Sequence, residues 1–287
     1  MRQACCHRRS AHAPRWLAHP RTGRTVVDGA HRRTRHRLLR RVRGLSVLRP
    51  GSPGVPWDVV LFDLDGTLTD PHVGITRCLA HALDSVGQPV EDPNSLRVFI
   101  GPPLIEGFAE MGVPHNRIED AIAAYRDRFT KVGMFENALV DGIFPVLLTL
   151  LAQGTRLAVA TSKPEPFAEK ILEHFDINEL FEVIAGATLD NRRRHKEDVI
   201  AHALDALDHP TAQSVIMVGD REHDVYGARA HGIESIGVLW GFGSRGELLD
   251  ANAEHIVATI DELALLLAPP RGTPTRRRDH IKLVPPS

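Results

Sequence analysis

The chain has 287 residues, of which 43% are hydrophobic, 25% charged and 5% aromatic, and its formal net charge is −1. That is about two domains' worth of an ordinary globular composition, and no run of about 18 apolar residues occurs, which excludes a transmembrane helix. The three cysteines, Cys5, Cys6 and Cys78, are too few for a disulfide scaffold and wrongly spaced for zinc, so a reducing, cytoplasmic setting is expected.

The near-zero charge conceals an asymmetry. Residues 1–50 hold fourteen arginines, no lysine and one acid, Asp28, for a charge of +13. Residues 51–270 sum to −18, and residues 271–287 to +4. Apolar residues in 1–55 are scattered among Arg, His, Pro and Gly. Such a segment cannot bury enough surface to offset its ordering entropy, so it reads as a disordered basic tail. It has the composition to bind nucleic acid or an acidic surface by counterion release, to act as a transit peptide, to fold back on the acidic body, or to be an extension without function. Residues 269–287, with Pro269, Pro270, Pro274, Pro285 and Pro286, read as a second disordered tail.

The body opens with Asp58-Val-Val-Leu-Phe62, a short apolar run that predicts a fully buried parallel strand. From Val73 to about Leu139 the pattern turns helical. Ile75, Cys78, Leu79, Ala82, Leu83 and Val86 recur every three or four residues before Gly87, and further helices are expected over 103–111 and 117–130. Strand patterns follow at 157–160, 183–185, 215–218, 236–239 and 255–257. Helical ones lie between, over 166–175 and through Val199, Ile200, Ala203, Leu204 and Leu207. The fold class is therefore α/β. A Rossmann-like parallel sheet (56–72 and 141–268) carries a helical cap domain (73–140) inserted after the first strand.

Ligands of open parallel sheets bind beyond the carboxyl ends of the strands. After the first strand comes Asp63-Leu64-Asp65-Gly66-Thr67-Leu68, after the second Thr161-Ser162-Lys163, and after the fourth Gly219-Asp220-Arg221-Glu222-His223-Asp224. Lys196 stands at a helix start. Clustered carboxylates are unfavourable unless a cation offsets them, and oxygen-only ligands select a hard ion, Mg²⁺. A carboxylate can attack phosphorus, while an amine and a hydroxyl hold the phosphoryl oxygens.

In this order the motifs resemble those of the haloacid dehalogenase superfamily, over residues 58 to 224 and on to about 268. The resemblance implies that Asp63 is the phosphorylated nucleophile and Asp65 the acid and base. It makes Thr161 and Lys196 phosphoryl ligands, and Asp63, Asp65 (through its carbonyl), Asp220 and Asp224 the metal ligands. Ser162 is the alternative to Thr161. Lys163, the rival of Lys196, is expected to point away. Asp224 has a plainer alternative as a helix cap, and His223 as an exposed residue. The acid at Asp65 argues for phosphoryl transfer over dehalogenation, because an alkoxide leaving group needs a proton and halide does not.

The cap looks like that of phosphoglycolate-phosphatase-like members. Gly101-Pro102-Pro103 and Arg126 or Arg128 are its expected substrate contacts, with Phe99 and Phe108 available for stacking. Asp141-Gly142 and His195-Lys196-Glu197 stand where many relatives have Pro-Gly and Gly-Lys-Pro. The chain also resembles actinobacterial members described as protein-tyrosine kinases. The expected partner is a small phosphate ester, or, in the alternative phosphotransferase reading, a protein docked by the basic tail. Nucleic acid is disfavoured because every catalytic position is filled.

Overall fold

The computed structural model describes residues 56–101, 104–190 and 192–269. The tail readings for 1–55 and 270–287 lie outside the described residues, as do Pro102 and Pro103. In chain order the elements are β1 (Val59–Phe62), β2 (Thr69–Asp70), α1 (His72–Ser85), a 3₁₀ segment (Pro93–Phe99), α2 (Leu104–Glu110), α3 (Ile118–Lys131) and β3 (Ala138–Leu139). Then come α4 (Ile143–Ala152), β4 (Arg156–Pro164), α5 (Glu165–His174), β5 (Val183–Ala187), α6 (Lys196–Ala206) and β6 (Val215–Gly219). The chain continues through α7 (Glu222–Ala230), β7 (Glu234–Val238), α8 (Arg245–Asp250), β8 (His255–Val257) and α9 (Ile260–Leu267).

All four side chains of β1 are buried. A strand with no polar face belongs mid-sheet with cover on both sides, and β1 pairs in parallel with β4 and β6. Val60 and Phe62 join a cluster with Leu147 and Leu150 of α4 and Ile171 of α5, whereas Val59 and Leu61 meet Val199, Ile200 and Ala203 of α6. Each such burial stabilises by roughly 1.5–3 kcal/mol. The sheet order is β5-β4-β1-β6-β7-β8. The chain thus winds outward from β1 to β5, then returns to β6 and winds the other way. A crevice opens where the two directions part, at the carboxyl ends of β1 and β6.

The structure extends some expected strands. β4 does not stop at Ala160 but runs to Pro164, with a register irregularity between Thr161 and Pro164. β7 begins at Glu234, two residues before the expected start. The apolar stretch 146–152 is helical.

Between β1 and β4 stands the helical segment. Its entry and exit run side by side as β2 and β3, an antiparallel pair with Thr69 opposite Leu139. Its interior gathers Cys78, Leu79, Ala82 and Leu83 of α1, Phe108 of α2, and Ile118, Ala121, Tyr125 and Phe129 of α3. At the junction with the sheet, the backbone of α1 touches the turn after α3. The Gly74 amide donates to the Glu136 carbonyl at 2.9 Å, and a Cβ on Gly74 would overlap the Gly133 carbonyl. Gly74→Ala is therefore expected to lower stability by about 1–3 kcal/mol, the usual cost of overpacking, read as a lower urea midpoint at unchanged slope.

Candidate active site

The Asp63 amide donates to the Val218 carbonyl at 2.9 Å, so the bonding of β1 to β6 carries one residue past the strand and fixes this side chain over the crevice. The loop behind it closes on itself: Leu68 and Thr69 amides both donate to the Leu64 carbonyl at 2.9 Å. Gly66 has φ +84°, and a Cβ there would overlap the Asp220 carboxylate, so glycine is required twice over. Asp220 is held from the other side by the Phe242 amide at 2.7 Å, and by Thr67 Oγ1 at 3.3 Å.

Lys196, buried at the start of α6, sets Nζ 2.9 Å from Asp63 Oδ1, 2.6 Å from Asp224 Oδ1 and 3.0 Å from the Ala160 carbonyl. Asp224 uses its other oxygen, Oδ2, to accept from the Arg221 amide at 3.1 Å, ahead of α7. Asp224 thus closes a capping box from the third position of α7, with Arg221 as the N-cap, while its other oxygen faces Lys196. Burial and the charges of Asp63 and Asp224 push the Asp220 carboxyl up to about 8. Burial likewise pushes Asp224 up to about 6, against the pull of Lys196.

Lys163 overturns an expectation. It does not point away: its Nζ lies 2.5 Å from Asp65 Oδ2, and its side chain is buried. The reason is the length of β4. Residues two apart on a strand share a face, so buried Thr161 brings Lys163 to the same side, while Ser162 between them faces solvent. The Lys163 amide donates to Thr161 Oγ1 at 3.2 Å, which leaves the hydroxyl proton free for another acceptor. The second Asp65 oxygen, Oδ1, is buried without a hydrogen-bond partner among the described residues. Burial raises the pKa of Asp65, with the Lys163 ammonium opposing.

The other expected contacts divide. Gly101, at φ +120°, lies so close to Arg221 Nη1 that a Cβ would overlap it. Arg126 is exposed on α3. Arg128 is engaged by Glu136 Oε2 at 2.7 Å and Cys78 Sγ at 3.2 Å. Phe108 is fully buried in the helical segment and cannot stack on a ligand. His223 is exposed. Sequence reasoning did not single out Tyr125 and Phe129, which α3 buries together, the Phe129 ring lying 4.9 Å from Lys163 Nζ. Their i, i+4 spacing was the available signal.

The acids suit a hard cation. Asp63, Asp220 and Asp224 offer carboxylate oxygens all within 4.8 Å of one another. Lys196 alone pairs with two of them, and Lys163 is engaged with Asp65. The cluster holds more carboxylates than ammonium groups, and its all-oxygen donor set fits Mg²⁺. No helix of the described residues is long and apolar enough to cross a membrane.

Comparison with known proteins agrees with this geometry. The family described as haloacid dehalogenase-like hydrolase matches residues 60–238. The tyrosine-protein kinase PtkA of Mycobacterium tuberculosis (strain H37Rv) is 48% identical over 218 residues, 75% of this chain and 74% of that protein. A 5'-nucleotidase of Pseudomonas aeruginosa is 44% identical over 209 residues, 72% of this chain and 94% of its own length. The crystal structure of a putative phosphatase from Clostridium difficile superposes with a TM-score of 0.71 at 43% identity, covering 74% of this chain and 98% of that one. The chain belongs to the haloacid dehalogenase-like hydrolase family.

Proposed function

We propose that this enzyme, a phosphatase of its family, hydrolyses small phosphate monoesters of the phosphoglycolate or nucleoside monophosphate kind through a phosphorylated Asp63, with Mg²⁺, in a cytoplasmic setting. The observation that carries the reading is the single sheet edge on which Asp63 and Asp65 meet two buried lysines, each bound to a different one of them. The division into a catalytic core (56–72 and 141–268) and a cap (73–140) is part of the proposal.

In the first half-reaction an Asp63 carboxylate oxygen attacks phosphorus. The bond from phosphorus to the ester oxygen breaks, and that oxygen takes the proton of Asp65. Burial favours the protonated form of Asp65 that this step needs. In the second half, Asp65 takes a proton from water, the water oxygen attacks phosphorus, and Asp63 leaves as a free carboxylate. Lys196 and the Thr161 hydroxyl hold phosphoryl oxygens. Mg²⁺, held by Asp63, Asp220, Asp224 and the Asp65 carbonyl, would offset negative charge on the phosphoryl group. Gly101 stays at the mouth of the site. Ser162 and Arg126, both exposed, are given no specific contact.

Phosphate release from a panel of monoesters tests the reading. Asp63→Asn is expected to abolish turnover, Asp65→Asn to slow it and to accumulate phosphorylated protein, and chelation of divalent ions to stop it until Mg²⁺ is restored. Full activity of Asp63→Asn would overturn the mechanism. The 48% identity to a protein named a tyrosine kinase supports a second reading. In it Asp63 passes the phosphoryl group from a nucleotide to a protein hydroxyl, and the basic tail docks the acceptor. Label from ATP appearing on a tyrosine, and lost in Asp63→Asn, would select it.

Lys163 gives a further check. Lys163→Met leaves Asp65 buried without its ammonium. It is expected to cost roughly 10- to 100-fold in kcat, a part of the roughly 10²–10⁴ that a positioned acid–base group supplies. Lys163→Arg is expected to restore part of that loss, as measured by steady-state kinetics.

A further inference from the structure

Above Asp65 the helical segment presents an aromatic roof. The Tyr125 and Phe129 rings stack at 5.7 Å with their planes 10° apart. Lys163 Nζ lies 4.9 Å from the centre of the Phe129 ring and 2.5 Å from Asp65 Oδ2. Phe167 closes the far side, edge-on to Phe129 at 5.8 Å. Tyr125 is therefore joined to the acid–base carboxylate through one ring and one ammonium. It is also close enough for the Asp65 charge to act on its phenol.

Tyr125 is only 8% exposed. Its ring is packed against Phe129, while its hydroxyl hydrogen-bonds to none of the described residues and, not being sealed off, stays open to solvent or a ligand. Burial also raises the phenol pKa, so the group stays a neutral donor at ordinary pH. Of the neighbouring polar groups, Arg128 is engaged with Glu136 and Cys78 and Lys163 with Asp65, while Asp65 Oδ1 has no hydrogen-bond partner among the described residues.

We propose that Tyr125 is a specificity-determining residue whose hydroxyl hydrogen-bonds an oxygen on the leaving-group portion of the substrate. The inference rests on the proposed role of Asp65. If Asp65 protonates the ester oxygen, the remainder of the alcohol lies beside Asp65, under this roof. The favoured substrate class is a small ester whose alcohol carries a second oxygen, as a carboxylate or hydroxyl. The apolar faces of Tyr125 and Phe129 would exclude water from it.

The test compares the parent enzyme with Tyr125→Phe, which keeps the ring and its packing, on phosphoglycolate, glycerol phosphate and ethyl phosphate. Ethyl phosphate has no oxygen beyond the ester. Losing one hydrogen bond to a neutral or charged group is expected to lower kcat/KM on the first two by about 10- to 100-fold, and to leave ethyl phosphate within about twofold. A thermal melt checks that the variant is folded. An equal fall on all three esters would make Tyr125 structural, and no fall on any would remove it from the site; either result overturns the inference while leaving the phosphatase reading intact. A parent enzyme that releases phosphate from no ester would instead overturn the phosphatase reading, and this inference with it.

Discussion

Charge compensation at the point where the sheet reverses direction is the constraint on which the site depends. Four carboxylates, Asp63, Asp65, Asp220 and Asp224, come together at the ends of β1 and β6. Like charges about 4 Å apart repel by about 4 kcal/mol at an effective dielectric near 20, against a typical domain stability of about 5–15 kcal/mol. Two lysines answer from different elements. Lys196 from α6 spans Asp63 and Asp224, and Lys163 from β4 takes Asp65. Neither lysine is in contact with Asp220, whose carboxyl is pushed toward protonation by burial and by the charges of Asp63 and Asp224, and a divalent cation there would relieve it. One ammonium sits with Asp63 and the other with Asp65, so these two carboxylates, separated only by Leu64 in the chain, have different electrostatic surroundings.

The sheet was legible because its strands are buried on both faces, and a continuous apolar run such as Val59–Phe62 has few other homes. The aspartates were legible because their spacing follows directly on those runs. What escaped depends on where an element ends and how it turns. Thr161-Ser162-Lys163 is polar and looks like a loop, yet β4 continues through it, and that extension decides which way Lys163 faces. On α3 the next residue lies about 100° round the helix, so Arg126 faces solvent while its neighbour Tyr125 is buried. β2 and β3, two residues each, are too short for any periodicity to register. Asp141-Gly142 departs from the common Pro-Gly only at its first residue. Gly142, at φ +84° just before α4, is the one whose conformation needs glycine, and it is kept.

The helical segment and the acid cluster are also mechanically connected. Gly101 abuts the Arg221 guanidinium, and Arg97 lies 5.9 Å from the centre of the Phe242 ring. Arg221 is anchored by Glu247 at 2.7 Å and directly follows Asp220 in the chain, while the Phe242 amide holds the Asp220 carboxylate. Trp240 completes the loop by donating to the Thr67 carbonyl at 3.2 Å, and Thr67 in turn bonds Asp220. The groups on which residues 97–101 rest are thus the groups that fix Asp220. A displacement of that segment has few soft contacts in which to dissipate, because Gly66, Gly241 and Gly243 leave no space around Asp220. The seating of residues 97–101 and the placement of the Asp220 carboxylate are consequently one packing problem: the Arg221 and Phe242 contacts that hold the one also adjoin the other.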